Sequence, residues 1–221
     1  VLVIIYFRYK SIKGKRFYMS NIEKLQDSII DELVAKYEDE PCHCRQVMKL
    51  ALNIFDELTT IVHNYGIKER KLLKYACLLH DIGYHISWEN HNKHAYNMIM
   101  DFSMPHFLPE EIEIIANIAR YHRGKLPKEK HKNFARIKNR ETKKLIKHLS
   151  SFIRIADGLD RSHSDAITKV KILKDDYTGK ITFFIHTNHH SCPGELYAAN
   201  KKKDLFEQEF NLGIDFIIQH N

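Results

Sequence analysis

The dipeptide His80-Asp81 follows the apolar run Ala76-Cys77-Leu78-Leu79 and precedes Ile82-Gly83. An imidazole nitrogen and a carboxylate oxygen side by side at the end of a buried helix can bind one divalent cation. Such a pair is also a common polar stop to a helix, so its company decides. His43 stands ahead of the first long amphipathic stretch, and His94 and His122 lie on or at the ends of two later ones. Asp157 follows the apolar Phe152-Ile153-Arg154-Ile155-Ala156. A carboxylate there needs a partner, because an uncompensated buried charge is costly. A metal, Arg154, Arg161 or a helix end would each serve.

The elements that must position these groups are mostly helical. Ser20 can cap a helix running to about Tyr37, and Val47, Leu50, Ala51, Ile54, Leu58 and Ile61 recur at helical spacing after Pro41. Further helices are expected over Glu69–His80, His91–Phe102, Glu110–His122 and Thr142–Leu159. From Ala166 the period changes to two. Ile167, Lys169, Lys171 and Leu173 oppose Thr168, Val170 and Ile172, the turn Asp175-Asp176-Tyr177-Thr178-Gly179 follows, and Lys180–Thr187 reads as a second strand. A helix over Glu195–Asn211 and a strand over Ile214–Gln219 complete a small ββαβ lobe. The fold class is therefore mainly α with a small C-terminal α+β lobe. The organisation is a flexible basic leader over 1–18 with Met19 as a candidate start, a helical domain over 19–164 and the lobe over 165–221.

The 221 residues, 43% hydrophobic and 29% charged, suffice for a buried core and argue against disorder. No apolar run approaches the ~20 residues of a membrane span, and the opening Val1–Phe7 lacks the charged start and cleavage site of a signal peptide. Cys42, Cys44, Cys77 and Cys192 have neither disulfide-framework nor zinc-ribbon spacing, which fits free thiols in a reducing cytoplasm. The net charge of +7 is unevenly placed. Between Arg123 and Lys147 eleven Lys and Arg face only Glu129 and Glu141. This concentration suits a polyanionic ligand, and the run is expected to wall the same site because His122 immediately precedes it. Phe134 is its one aromatic, too few for base stacking, which disfavours nucleic acid.

The order His43, His80-Asp81, Asp157 resembles the HD superfamily of metal-dependent phosphohydrolases. The wording around it is narrower. Leu78–Ser87, His91–Tyr96, Ala119–Arg123 and Arg154–His163, with Glu195–Ala199 and Lys202–Phe206 in the tail, look like the C-terminal HD domain of the exopolyphosphatase and guanosine-pentaphosphate phosphatase (Ppx/GppA) family. The resemblance runs from Asn21 to the end, but nothing ahead of His43 corresponds to that family's actin-like catalytic lobes.

The resemblance implies an HD-type helical bundle in which His43, His80, Asp81 and Asp157 hold one metal. His94 and His122, with a bridging Asp81, would hold a second, His94 being preferred to His91 because Ala95 and Ile99 follow it. His80 and Asp81 would be central to catalysis, and Arg123, Lys125 and Arg161 would bind substrate. Asp160 and Arg161 could form an orienting pair. The implied cofactor is one or two divalent ions among manganese, iron, zinc, nickel and magnesium. The implied activity is hydrolysis of a phosphorylated small molecule, a nucleotide or polyphosphate, by a cytoplasmic protein for which a homodimer is one permitted assembly. The alternative is a non-catalytic module that binds polyphosphate or docks onto a separate exopolyphosphatase-type subunit.

Overall fold

The computed structural model describes residues 21–188 and 191–220. The leader over 1–18, Ser20 and the pair His189-His190 lie outside the described residues. The chain runs through α1 (21–37), α2 (Pro41–Leu58), α3 (Ile67–Leu78), a 3-10 turn (Ile82–His85), α4 (His91–Asp101), α5 (Pro109–Arg120), α6 (Lys132–Ala135) and α7 (Arg140–Leu159). It ends in β1 (Ile167–Lys174), β2 (Ile181–Thr187), α8 (Pro193–Lys202), α9 (Asp204–Phe210) and β3 (Ile214–His220). Among the described residues no helix is long and apolar enough to cross a membrane.

The molecule is mainly α with a small α+β lobe, as the change of period implies. The sheet has the order β1-β2-β3, antiparallel and then parallel. A bulge between Ile167 and Lys169 lets Ile167 turn inward with Val170 and Ile172 although simple alternation puts it on the opposite face. The single C-terminal helix expected over Glu195–Asn211 is two helices that meet at Lys203. Body and lobe share one apolar core, in which Leu50, Ile54, Phe152 and Ile155 are continuous with Val170, Phe183 and Phe206.

Two glycines set the spacing that the site needs. A Cβ on Gly83 would lie 1.9 Å from the His91 carbonyl oxygen and 2.6 Å from the Ala95 nitrogen, so only glycine lets α4 close onto the turn after His80-Asp81. A Cβ on Gly158 would lie 2.7 Å from the Ala199 Cα, which brings α8 hard against the end of α7.

Candidate metal centre

Five helix ends meet at one point. His43 occupies the first turn of α2, not the loop ahead of it as expected, because Pro41 starts the helix two residues earlier. His80 and Asp81 follow the end of α3, His91 opens α4, His122 follows the end of α5, and Asp157 lies in the last turn of α7. The C-termini of α3, α5 and α7 all end here, and their partial negative charge favours a cation.

The histidines share one orientation device. His80 Nδ1 donates to the Cys77 carbonyl at 2.7 Å, His122 Nδ1 to the Ala119 carbonyl at 2.7 Å, and His91 Nδ1 to the Trp88 carbonyl at 3.1 Å. A carbonyl oxygen can only accept, so each Nδ1 carries the proton and each Nε2 presents a lone pair. All three lone pairs face Asp81: His80 Nε2 is 3.3 Å from Oδ2, while His91 and His122 Nε2 are 3.2 and 3.4 Å from Oδ1. His43 is held by a carboxylate instead, with Nδ1 2.8 Å from Asp160 Oδ2. Its Nε2 faces Asp81 Oδ2 at 3.8 Å and Asp157 Oδ1 at 3.6 Å.

Lone pairs that face carboxylate oxygens do not satisfy one another. His80 Nε2 and Asp81 Oδ1 are buried without a hydrogen-bond partner among the described residues. Single ligand atoms from His43, His80 and Asp157, and from His80, Asp81 and His122, lie within 4.8 Å of one another. Nitrogen and carboxylate donors of this kind suit a divalent transition metal, and a cation between them would satisfy the orphaned atoms. The residues therefore fit the group that the resemblance implies.

Burial holds the His80 imidazole below its usual range and His122 well below it, so both stay neutral. Burial also works against ionisation of Asp81 and Asp157, but neighbours overcome it. The Asp81 carboxyl stays low all the same, and Lys202 and His43 hold Asp157 low. Burial pushes His43 down too, yet Asp157 and Asp160 outweigh it and lift the imidazole to about 10 in the metal-free protein.

The expected residues do not all meet here. His94 is the correction: His91 stands on Asp81, while His94 takes no part in either ligand cluster and does not line the pocket. His91, Ala95 and Ile99 are all buried and share one face at four-residue spacing, and His94 is turned off that face. Lys125 is exposed and lies outside the pocket lining, because the chain turns away at Gly124. The basic run therefore contributes only Arg123 and Gly124 to the pocket walls. Asp160 and Arg161 are not a pair: Asp160 is buried on His43, and Arg161 is an exposed pocket residue.

Two residues escaped the sequence reading. Lys202 Nζ forms an ion pair with Asp157 Oδ2, delivered by the close α7–α8 crossing at Gly158 and Ala199. Its partner lies 45 positions away, and no local pattern joins them. His163 stacks on His43 with ring centroids 3.8 Å apart and lines the pocket.

The pocket above this centre has a volume of about 500 Å³. Arg123, Arg161, Lys201 and Lys202 make its rim basic, and Tyr84, Trp88 and Tyr197 give it an aromatic side. Arg154 is buried behind it and fixes the loop after His122, donating to the Tyr121 and Gly124 carbonyls and pairing with Asp204 at 2.9 Å.

The chain is similar to known proteins. Residues 25–210 match the family model described as Ppx/GppA phosphatase, domain III. The guanosine-5'-triphosphate,3'-diphosphate pyrophosphatase of Aeromonas hydrophila is 30% identical over 94 residues, 41% of this chain and 18% of that protein. The protein of the same name from Aeromonas salmonicida gives the same figures, and that from Pseudoalteromonas translucida is 27% identical over 99 residues, 45% of this chain and 20% of the relative. The chain thus matches about a fifth of the length of these relatives. Since the family match spans the helical body and most of the lobe, the chain belongs to the Ppx/GppA phosphatase domain III family.

Proposed function

We propose that this protein is an HD-type, metal-dependent phosphohydrolase acting on a phosphate-rich small molecule, a nucleotide or polyphosphate. The observation that carries the reading is the shared orientation of His43, His80, His91 and His122, each Nδ1 tied to the protein and each Nε2 facing Asp81 or Asp157. His43, His80, Asp81 and Asp157 would hold one divalent ion, and Asp81, His91 and His122 a second. When bound, such ions would lower the pKa of water and neutralise phosphoryl charge.

The chain's own groups would do the rest. Arg123 and Arg161 would clamp phosphoryl oxygens as planar forks, and Lys201 would add a point charge. Asp160 would hold the His43 ring in place. Trp88, 70% exposed, and Tyr197, 67% exposed, offer stacking surface that a nucleobase can use and a bare phosphate chain cannot. This favours a nucleotide within the class. The names of the relatives carry the same implication, since those proteins are called pyrophosphatases of a guanosine nucleotide.

The test is phosphate release from guanosine and adenosine tri- and tetraphosphates and from polyphosphate, with added manganese and with the Asp81→Ala variant beside the wild type. Manganese-dependent release that Asp81→Ala abolishes supports the reading. Tight binding of the same compounds without turnover would favour an accessory binding module.

A further inference from the structure

Beyond Gly124 the basic run leaves the metal pocket and builds something else. Lys132 and Arg136, from α6 and the residue after it, meet Lys93 of α4 and Arg120 at the end of α5 around a second cleft of about 380 Å³, with Tyr96 and Asn133 in its wall. None of these six residues lines the metal pocket. The two clefts share helices but not faces. On α4, His91 faces Asp81 while Lys93 faces the second cleft, and at the end of α5 the same division separates His122 from Arg120.

Three of the four cations are gathered without compensation. Among the described residues Lys93, Arg120 and Lys132 take part in no ion pair, whereas Arg136 Nε lies 2.8 Å from Glu113 Oε1. Lys132 and Arg136 stand four residues apart on one turn, a spacing at which like charges oppose helix formation. Arg120 is half-buried, and that burial lowers its pKa, the mark of a cation without an anion. Nearby His131 is likewise held low, by burial first and then by Arg120, Lys130, Lys125 and Lys128.

The arrangement is also anchored, unlike a solvated lysine loop. Asn133 Nδ2 donates to Asn117 Oδ1 at 2.8 Å and to the Tyr121 hydroxyl at 2.9 Å, and Asn117 is fully buried. Phe134 and Ile137 are buried beneath the same turn. The backbone that carries Lys132 and Arg136 is therefore fixed over the cleft.

We infer that the cleft formed by Lys93, Arg120, Lys132 and Arg136 is an anion site separate from the metal centre, and that it takes a short, multiply phosphorylated anion. Two Arg forks and two Lys point charges suit phosphoryl oxygens. A concave cleft of this size suits a small molecule, and the half-buried Tyr96 is a poor platform for a strand of stacked bases. The inference does not depend on hydrolysis or on a bound metal.

The test is calorimetric titration of the full chain with sodium tripolyphosphate, in chelator so that no metal bridges the ligand. The wild type should bind, with affinity that falls steeply as salt rises. Arg120→Gln with Lys132→Gln should weaken binding about tenfold or more, and Lys169→Gln with Lys174→Gln, exposed cations of β1 that line neither cleft, should change it less than about threefold. An inert cleft variant, or a β1 variant that weakens binding as much, would overturn the inference. Amide shifts in the wild type give a second measurement that needs no variant: tripolyphosphate should move Asn97 and Asn133 before Asp81 and Asp157, and the reverse order would contradict the site. A ten-nucleotide single strand that binds the cleft more tightly than tripolyphosphate would overturn the small-anion assignment.

Discussion

His43 Nδ1 sits 2.8 Å from the buried carboxylate of Asp160, the residue that caps the C-terminal end of α7 three positions after Asp157. Asp160 also accepts from the Asp165 backbone N–H at 3.2 Å, so the carboxylate is itself held in place. One helix end thus supplies both a candidate ligand and the group that aims another. Replacing Asp160 with Asn keeps the shape but removes the charge that orients His43. Metal affinity, measured by competition with a chelator, should fall by about 10–100-fold. An unchanged affinity would reduce Asp160 to a loop anchor.

His91 and His94 separate by the same kind of measurement. His91→Ala should lower metal content and any manganese-dependent phosphate release, and His94→Ala should leave metal content at the wild-type level. The opposite pattern would restore the assignment that the sequence suggests.

The two histidines also show how far the sequence could be read. His43, His80, Asp81, His122 and Asp157 stand next to apolar helical runs, and those runs mark where helices end, so their convergence was legible from order and motif. His91 was legible too, since the four-residue spacing of His91, Ala95 and Ile99 describes the buried face, whereas adjacency to Ala95 points to His94. Lys202 was not legible. It reaches Asp157 only because Gly158 and Ala199 let two helices touch, and that contact is tertiary. The fold class followed from the change of period near Ala166. The break at Lys203 and the bulge near Thr168 are single-residue events that no period records.

Lys202 should behave as an internal counter-cation. Its ion pair partner Asp157 is 13% exposed in its side chain, and Lys202 itself 23%. Lys202→Met should therefore destabilise the metal-free protein by up to about 3 kcal/mol, the lower end for breaking a buried pair. Saturating manganese should recover most of that loss, because the cation supplies the missing charge. Chemical denaturation with and without metal gives both numbers. A loss that manganese leaves untouched would show that Lys202 acts through packing alone.

Glu38 predicts a pH effect. Its Oε2 is buried without a hydrogen-bond partner among the described residues, and burial, then the charge of Asp81, raise its pKa from 4.5 to about 7. The unfolded chain loses this proton before the folded one does, so the contribution to stability falls as pH rises from 4.5 through about 7 and is constant above that. Glu38→Gln should match wild-type stability near pH 4.5 and exceed it at pH 8 by about 1–2 kcal/mol in the metal-free protein. Equal stability at both pH values would mean that Glu38 ionises normally.

The most direct test of the central claim is the metal content of the purified protein, measured by elemental mass spectrometry beside Asp81→Ala and paired with phosphate release from the nucleotide and polyphosphate panel. The account predicts one or two equivalents of a divalent transition metal in the wild type, most of it lost in Asp81→Ala together with phosphate release. A wild type that neither carries nor takes up such a metal, or an Asp81→Ala variant that keeps its full complement, would contradict it.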